Sequence, residues 1–192
     1  GKIVIEPDLS NAGPFLAAAM VTGSIIRIPN WPTKTTQVGS HYIDLLTQMG
    51  ADVAVSNNEL TLKGNGVIIG IDVDLSEAGE LTPTIAALAT LASSPSKLSG
   101  IKLLRGHETD RISALATEIN RVGGNAIELE DGLQITPGEL VATKWLSYHD
   151  HRMATAGAIV GLKVPGLEVE NIETTSKTNP GFEHIWQRML DS

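Results

Sequence analysis

The chain has 192 residues, 42% of them hydrophobic and 19% charged, which is enough for one domain with a substantial core and unlike a disordered segment. Its formal net charge of -8 argues against general nucleic-acid binding through a basic surface, so an anionic ligand has to be met by a local cluster of cations. The absence of cysteine excludes disulfides, thiolate metal sites and cysteine nucleophiles; no signal pattern is visible, no apolar run approaches the roughly 20 residues that span a bilayer, and the cytoplasm is the expected compartment.

Along the chain, Asp8 and Ser10 precede the first of three segments that are apolar nearly all the way round and rich in small residues: Phe15 to Val21, Pro83 to Ala92, and Met153 to Leu162. Helices of that kind belong inside a protein, where Ala and Gly let them approach closely. They begin about 70 residues apart, a spacing that points to internal repetition. Each is followed by a β-like run (Ser24 to Ile28, Lys97 to Leu103, Leu167 to Ile172) and then by a predicted amphipathic helix: His41 to Met49, Glu108 to Val122, and Pro180 to Leu190. In the second of these, Ile112, Leu115, Ile119 and Val122 recur at helical steps and give one apolar face. The first two amphipathic helices lead through Gly into a hairpin with turn residues Asn57-Asn58 or Asp131-Gly132. After the third come only Asp191 and Ser192, so the third unit is expected to lack its hairpin. Pro29-Asn30-Trp31-Pro32 reads as a loop between elements, not as a domain linker.

Two predicted helix starts carry cations where a helix favours negative charge: Arg111, in the run Arg105-Gly106-His107-Glu108-Thr109-Asp110-Arg111, and Arg152, in Asp150-His151-Arg152. Free backbone N–H groups together with a guanidinium describe a phosphate or carboxylate site, and both arginines read as ligand contacts, not core side chains. Simpler readings stand beside this one. Glu108 and Arg111 are spaced for an intrahelical ion pair, Asp150 is a good N-cap, Glu80 suits a first helical turn as a carboxylate, and Lys177 suits a solvated loop. The histidines lack metal-ligand spacing, and no Gly-rich dinucleotide or P-loop pattern occurs, so no metal or organic cofactor is expected.

The run from Arg105 to Gly123 resembles the second signature of the 5-enolpyruvylshikimate-3-phosphate synthase (3-phosphoshikimate 1-carboxyvinyltransferase) family. Asp150 to Ala154, Lys177-Thr178, and Glu6-Pro7-Asp8 through Phe15 to Ala19 are similar to further segments of that family, in its order. The resemblance implies an inside-out α/β domain of three βαβαββ repeats with pseudo-threefold symmetry, the last lacking its hairpin. Residues 1–192 would form a single domain, the C-terminal part of a two-domain enolpyruvyl transferase that works with a missing N-terminal domain. The implied reaction transfers the enolpyruvyl group from phosphoenolpyruvate to shikimate 3-phosphate, in the shikimate pathway of aromatic amino acid biosynthesis. By resemblance, Glu80 accepts the proton of the shikimate hydroxyl and Glu108 exchanges a proton with the reacting carbon. Arg111 and Arg152 clamp the phosphoenolpyruvate carboxylate, Lys177 meets its phosphate, and His107 touches shikimate 3-phosphate. The alternatives are an enolpyruvyl transferase acting on a nucleotide sugar and a non-catalytic anion-binding module.

Overall fold

Residues 5–107 and 109–192 are described by the structure, a computed structural model, and the small-residue segments lie at its centre. They form α1 (Gly13–Thr22), α3 (Thr82–Thr90) and α5 (His151–Gly161), which pack on one another. Every residue of α3 is buried, as a helix without a polar face requires. Pro14 and Pro83 sit in the first turns of α1 and α3, where a missing N–H costs nothing. The remaining helices, α2 (Tyr42–Gln48), α4 (Arg111–Arg121) and α6 (Phe182–Leu190), are shorter on apolar surface and lie outside this centre. The last of them is fastened by Phe182 and Trp186, whose rings stand 5.7 and 6.0 Å from that of Phe15 on α1.

Strands β1 (Ile25–Pro29), β2 (Asp52–Ser56) and β3 (Glu59–Lys63) make an antiparallel sheet in the order β1-β3-β2. The β2–β3 turn holds Asn57 and Asn58 at φ 51 and 57, the left-handed pair that a two-residue hairpin demands and Asn tolerates. The second sheet runs β4-β5-β7-β6, from β4 (Asp72–Asp74), β5 (Ser96–Ser99), β6 (Asn125–Glu128) and β7 (Leu133–Thr136). The third is the parallel pair β8 (Lys144–Trp145) and β9 (Glu168–Val169). Both parallel pairs, β4 with β5 and β8 with β9, are bridged by a buried helix, α3 or α5, the crossover that parallel pairing needs.

Several boundaries depart from the periodicity. The run from Lys97 pairs only to Ser99, because Gly100 turns at φ 75 and a 3-10 turn over Lys102–Gly106 carries Leu104 into the core. The run from Leu167 yields only β9, since Asn171 at φ 53 diverts the chain into a 3-10 segment over Ile172–Lys177. The third amphipathic helix begins at Phe182, after Gly181 at φ 78, and not at Pro180. The second begins at Arg111 with Asp110 as its N-cap, accepting from Ser113 N, so the residues before Asp110 precede the helix. Among the described residues, no helix is long and apolar enough to cross a membrane.

Close approach at the centre is illustrated by Gly157 on α5, which faces the indole of Trp145. That indole donates to the Met153 carbonyl at 2.9 Å, and a Cβ on Gly157 would stand 2.6 Å from its Cδ1. Gly157→Ala is therefore expected to lower the free energy of unfolding by about 1–3 kcal/mol through overpacking. The roughly 1 kcal/mol that Ala gains over Gly in a helix would offset only part of a larger clash. The urea midpoint of the variant against the parent measures the balance, and a stabilised variant would show that Trp145 is free to move aside.

Candidate active site

Three helix starts, those of α1, α3 and α5, carry the candidate polar groups. Asp8 caps the 3-10 turn that leads into α1, accepting Ser10 N–H at 3.0 Å and the Ser10 hydroxyl at 2.6 Å. Glu80 lies in the 3-10 turn Gly79–Leu81 ahead of α3. Asp150 caps α5 by accepting Arg152 N–H at 2.8 Å. Beneath this layer the fully buried Tyr42 hydroxyl lies 3.2 Å from Thr84 Oγ1 on α3, and burial pushes its pKa up to about 12. The polar groups thus sit at helix ends, where backbone N–H groups lack intrahelical partners, above an otherwise apolar core.

Arg152 joins three of these starts. Its Nη2 donates to Ser10 Oγ and to Glu80 Oε2, both at 3.1 Å, across sequence separations of 142 and 72 residues. The Arg152 side chain is 14% exposed and that of Glu80 51%, so the carboxylate sits on the solvent side of the pair. Arg152, Ser10, Thr84, Thr155, Thr175 and Thr178 line a narrow cleft. Lys177 is exposed at the end of the 3-10 segment, next to Thr178, whose carbonyl accepts from Asn11 Nδ2 at 3.1 Å.

Arg111 differs from its sequence expectation. It is a core side chain, 3% exposed, and the anion that answers it belongs to the protein: Nε donates to Asp150 Oδ2 at 2.7 Å and Nη2 to Oδ1 at 3.1 Å. The third nitrogen, Nη1, lies 3.4 Å from Nδ1 of the exposed His107. Burial alone would raise the Asp150 pKa, but the Arg111 hydrogen bond and charge outweigh it and hold the carboxyl below its ordinary value. Glu108 lies outside the described residues. Arg105 serves the loop before α4, donating to Asp110 Oδ2 at 3.0 Å, Glu128 Oε2 at 2.9 Å and the Leu129 carbonyl at 3.2 Å. Among the described residues no cluster of three or more acidic or histidine side chains could hold a metal ion.

One signal for the Arg111 arrangement lies in the sequence itself. Arg111, Leu115, Glu118 and Val122 share one helical stripe, so two charges interrupt an apolar face; both are buried, and buried charges require partners.

Residues 1–186 match the family model described as EPSP synthase (3-phosphoshikimate 1-carboxyvinyltransferase). A 3-phosphoshikimate 1-carboxyvinyltransferase of Kocuria rhizophila is 54% identical over 190 residues, 99% of this chain but 43% of that protein. An EPSP synthase structure from Acinetobacter baumannii superposes with a TM-score of 0.80 at 24% identity, covering 98% of this chain and 48% of that one. The enolpyruvyl transferase NikO from Streptomyces tendae does so with a TM-score of 0.72 at 18% identity, covering 98% and 43%. At such identities the two structures speak for the α/β fold alone. The chain spans less than half the length of these relatives.

Two outcomes are expected. Arg111→Ala leaves the Asp150 carboxylate buried and unanswered, a loss of about 3–5 kcal/mol of unfolding free energy. Because the folded pKa of Asp150 is depressed, its contribution is complete above the unfolded value of about 3.9 and fades as pH falls through the folded one. Urea titrations of parent and variant at neutral and acid pH read both effects, and a variant as stable as the parent would remove the pair from the fold's supports. His151 is linked to pH in the same direction, over a higher range. Burial, then the Arg152 charge, lowers its pKa against the pull of Asp150. The unfolded chain therefore takes up the proton first as pH drops below about 6.5, and stability declines from there to the folded pKa. His151→Gln should flatten that part of the stability profile, and an unchanged slope between pH 7.5 and 5 would assign it to other groups.

Proposed function

The chain belongs to the EPSP synthase family, and we propose that it forms one wall of the active site of a 3-phosphoshikimate 1-carboxyvinyltransferase, the other wall coming from the rest of a longer protein. The observation that carries this reading is Arg152, which lines the cleft and draws together Ser10 and Glu80 from 142 and 72 residues away. A coverage of 43% of the Kocuria relative supports the division between two walls. The name of that relative, at 54% identity, favours shikimate 3-phosphate over a nucleotide sugar as acceptor. A carboxylate, Glu80, among the cations disfavours a mere anion trap.

In this reading the element order β4-α3-β5-α4-β6-β7 is one complete βαβαββ repeat, and β8-α5-β9-α6 is the third repeat without its hairpin. The helices α1, α3 and α5 form the centre of an inside-out, pseudo-threefold domain spanning residues 1–192, the C-terminal part of the enzyme. The reaction belongs to aromatic amino acid biosynthesis in the cytoplasm.

The chemistry needs two proton carriers and a set of cations. Glu80 takes the proton of the shikimate hydroxyl as that oxygen bonds to the central carbon of phosphoenolpyruvate, while Glu108 delivers a proton to its methylene. The resulting tetrahedral adduct expels phosphate, and loss of a proton from the new methyl group restores the double bond. Arg152 and the outer nitrogen of Arg111 hold the substrate carboxylate, Lys177 its phosphate, and His107 the shikimate phosphate partner. A substrate carboxylate arriving at Arg152 competes with Glu80 for the same guanidinium. Binding of one substrate thereby frees the base needed by the other.

Phosphate release from the two substrates tests the proposal. The chain alone is expected to turn over negligibly, since only one wall positions the reactants. Restoring the remainder of the enzyme should restore turnover, and Arg152→Ala in that enzyme should weaken phosphoenolpyruvate use by about 1.5–3 kcal/mol with little change in unfolding free energy. A restored enzyme that released no phosphate would overturn the reading.

A further inference from the structure

The segment from Leu146 to Asp150 is held in an unusual shape, mainly by one helix. Tyr148 and His149 are consecutive residues in the left-handed region, at φ 55 and 56. Such a conformation in non-glycine residues persists only where the surroundings over-determine it. Most of the buried surroundings are supplied by α4. Its Glu118 is fully buried and accepts the Leu146 N–H on Oε2 at 3.0 Å and the Tyr148 hydroxyl on Oε1 at 2.7 Å. Arg121 completes the carboxylate, with Nη2 3.2 Å from Oε1 and Nε 3.1 Å from Oε2. Two turns earlier on the same stripe, Arg111 grips Asp150.

The helix therefore holds the segment at both ends, and the left-handed pair lies between the grips. On the outer side Thr174 Oγ1 donates to the His149 carbonyl at 3.1 Å. With the chain reversed at Tyr148 and His149, Asp150 satisfies Arg111 and caps α5 at the same time. Burial and the bond to Glu118 push the Tyr148 pKa up to about 12, so its hydroxyl stays a neutral donor.

We propose that Glu118 and Tyr148 are positioning residues for the anion site, which touch no substrate and act through Asp150 on the aim of Arg111 and Arg152. The inference rests on the carboxyvinyltransferase reading, because phosphoenolpyruvate is the anion those arginines would receive.

Tyr148→Phe in the complete enzyme removes one hydrogen bond to a buried carboxylate and almost no volume. The expected result is a KM for phosphoenolpyruvate raised roughly tenfold, the scale of one charge-assisted bond. The KM for shikimate 3-phosphate and kcat should stay nearly unchanged, and the Arg111 Nε–H signal in a nitrogen–proton spectrum should move. In an Arg111→Lys background the same substitution should have little further effect on phosphoenolpyruvate, as groups acting in series are not additive. A variant that lost thermal stability while its KM values and the Arg111 signal held would overturn the proposal, reducing the pair to a fold support. If Tyr148→Phe folds poorly, Glu118→Gln decides on the same readouts. An inactive parent enzyme would sink the carboxyvinyltransferase reading instead, while the Arg111 signal would still decide whether Tyr148 positions it.

Discussion

The buried ion pair between Arg111 and Asp150 is the constraint on which the site depends. Taking two charges out of water is costly, and the cost is met only when the geometry is good and the remaining polar positions are filled. Both conditions hold here: the guanidinium meets the carboxylate through two nitrogens, and the same carboxylate receives the Arg152 amide as the cap of α5. One carboxylate thus fixes the N-terminus of α4 to that of α5. Arg152 follows in the next turn of chain, and His107 leans on the outer nitrogen of Arg111. Two groups proposed to face substrate, Arg152 and His107, owe their relative placement to a pair that is itself hidden.

The buried centre explains why the polar groups sit where they do. Helices α1, α3 and α5 have no polar face to offer, and their small residues bring them close together. The places in such a centre that must remain polar are the helix ends, where backbone donors lack partners. Capping by Asp8 and Asp150 satisfies part of that demand, and Glu80 sits ahead of α3. The cluster of charges is therefore the edge of the hydrophobic core and not an addition to its surface.

Much of this was legible in the sequence, for identifiable reasons. A helix buried on all sides announces itself by composition, and the apolar stripe of α4 by its period. The Asn57-Asn58 turn did so by residue type. What was not legible depended on contacts far apart along the chain. The strands after α3 and α5 are shorter than their apolar runs, because Gly100 and Asn171 take left-handed conformations that a hydrophobic pattern does not encode. Arg111 called for an anion, but that Asp150, 39 residues on, supplies it could not be deduced from either residue alone. Glu118 betrayed itself only as a charge on an apolar stripe, and its partners Leu146 and Tyr148 lie in a segment without pattern. Glu108, prominent in the sequence, lies outside the described residues.

The division between exposed and buried charges also governs how such a sequence can drift over generations. Glu80, His107 and Lys177 border solvent, where a changed side chain can still be answered by water. Arg111 with Asp150, and Glu118 with Tyr148 and Arg121, are bound to mutual tolerance: a change in one member leaves a buried group unsatisfied until the other changes too. Among descendants of this chain, the first set would be held by the chemistry proposed for it and not by the core. The second would covary or stand still.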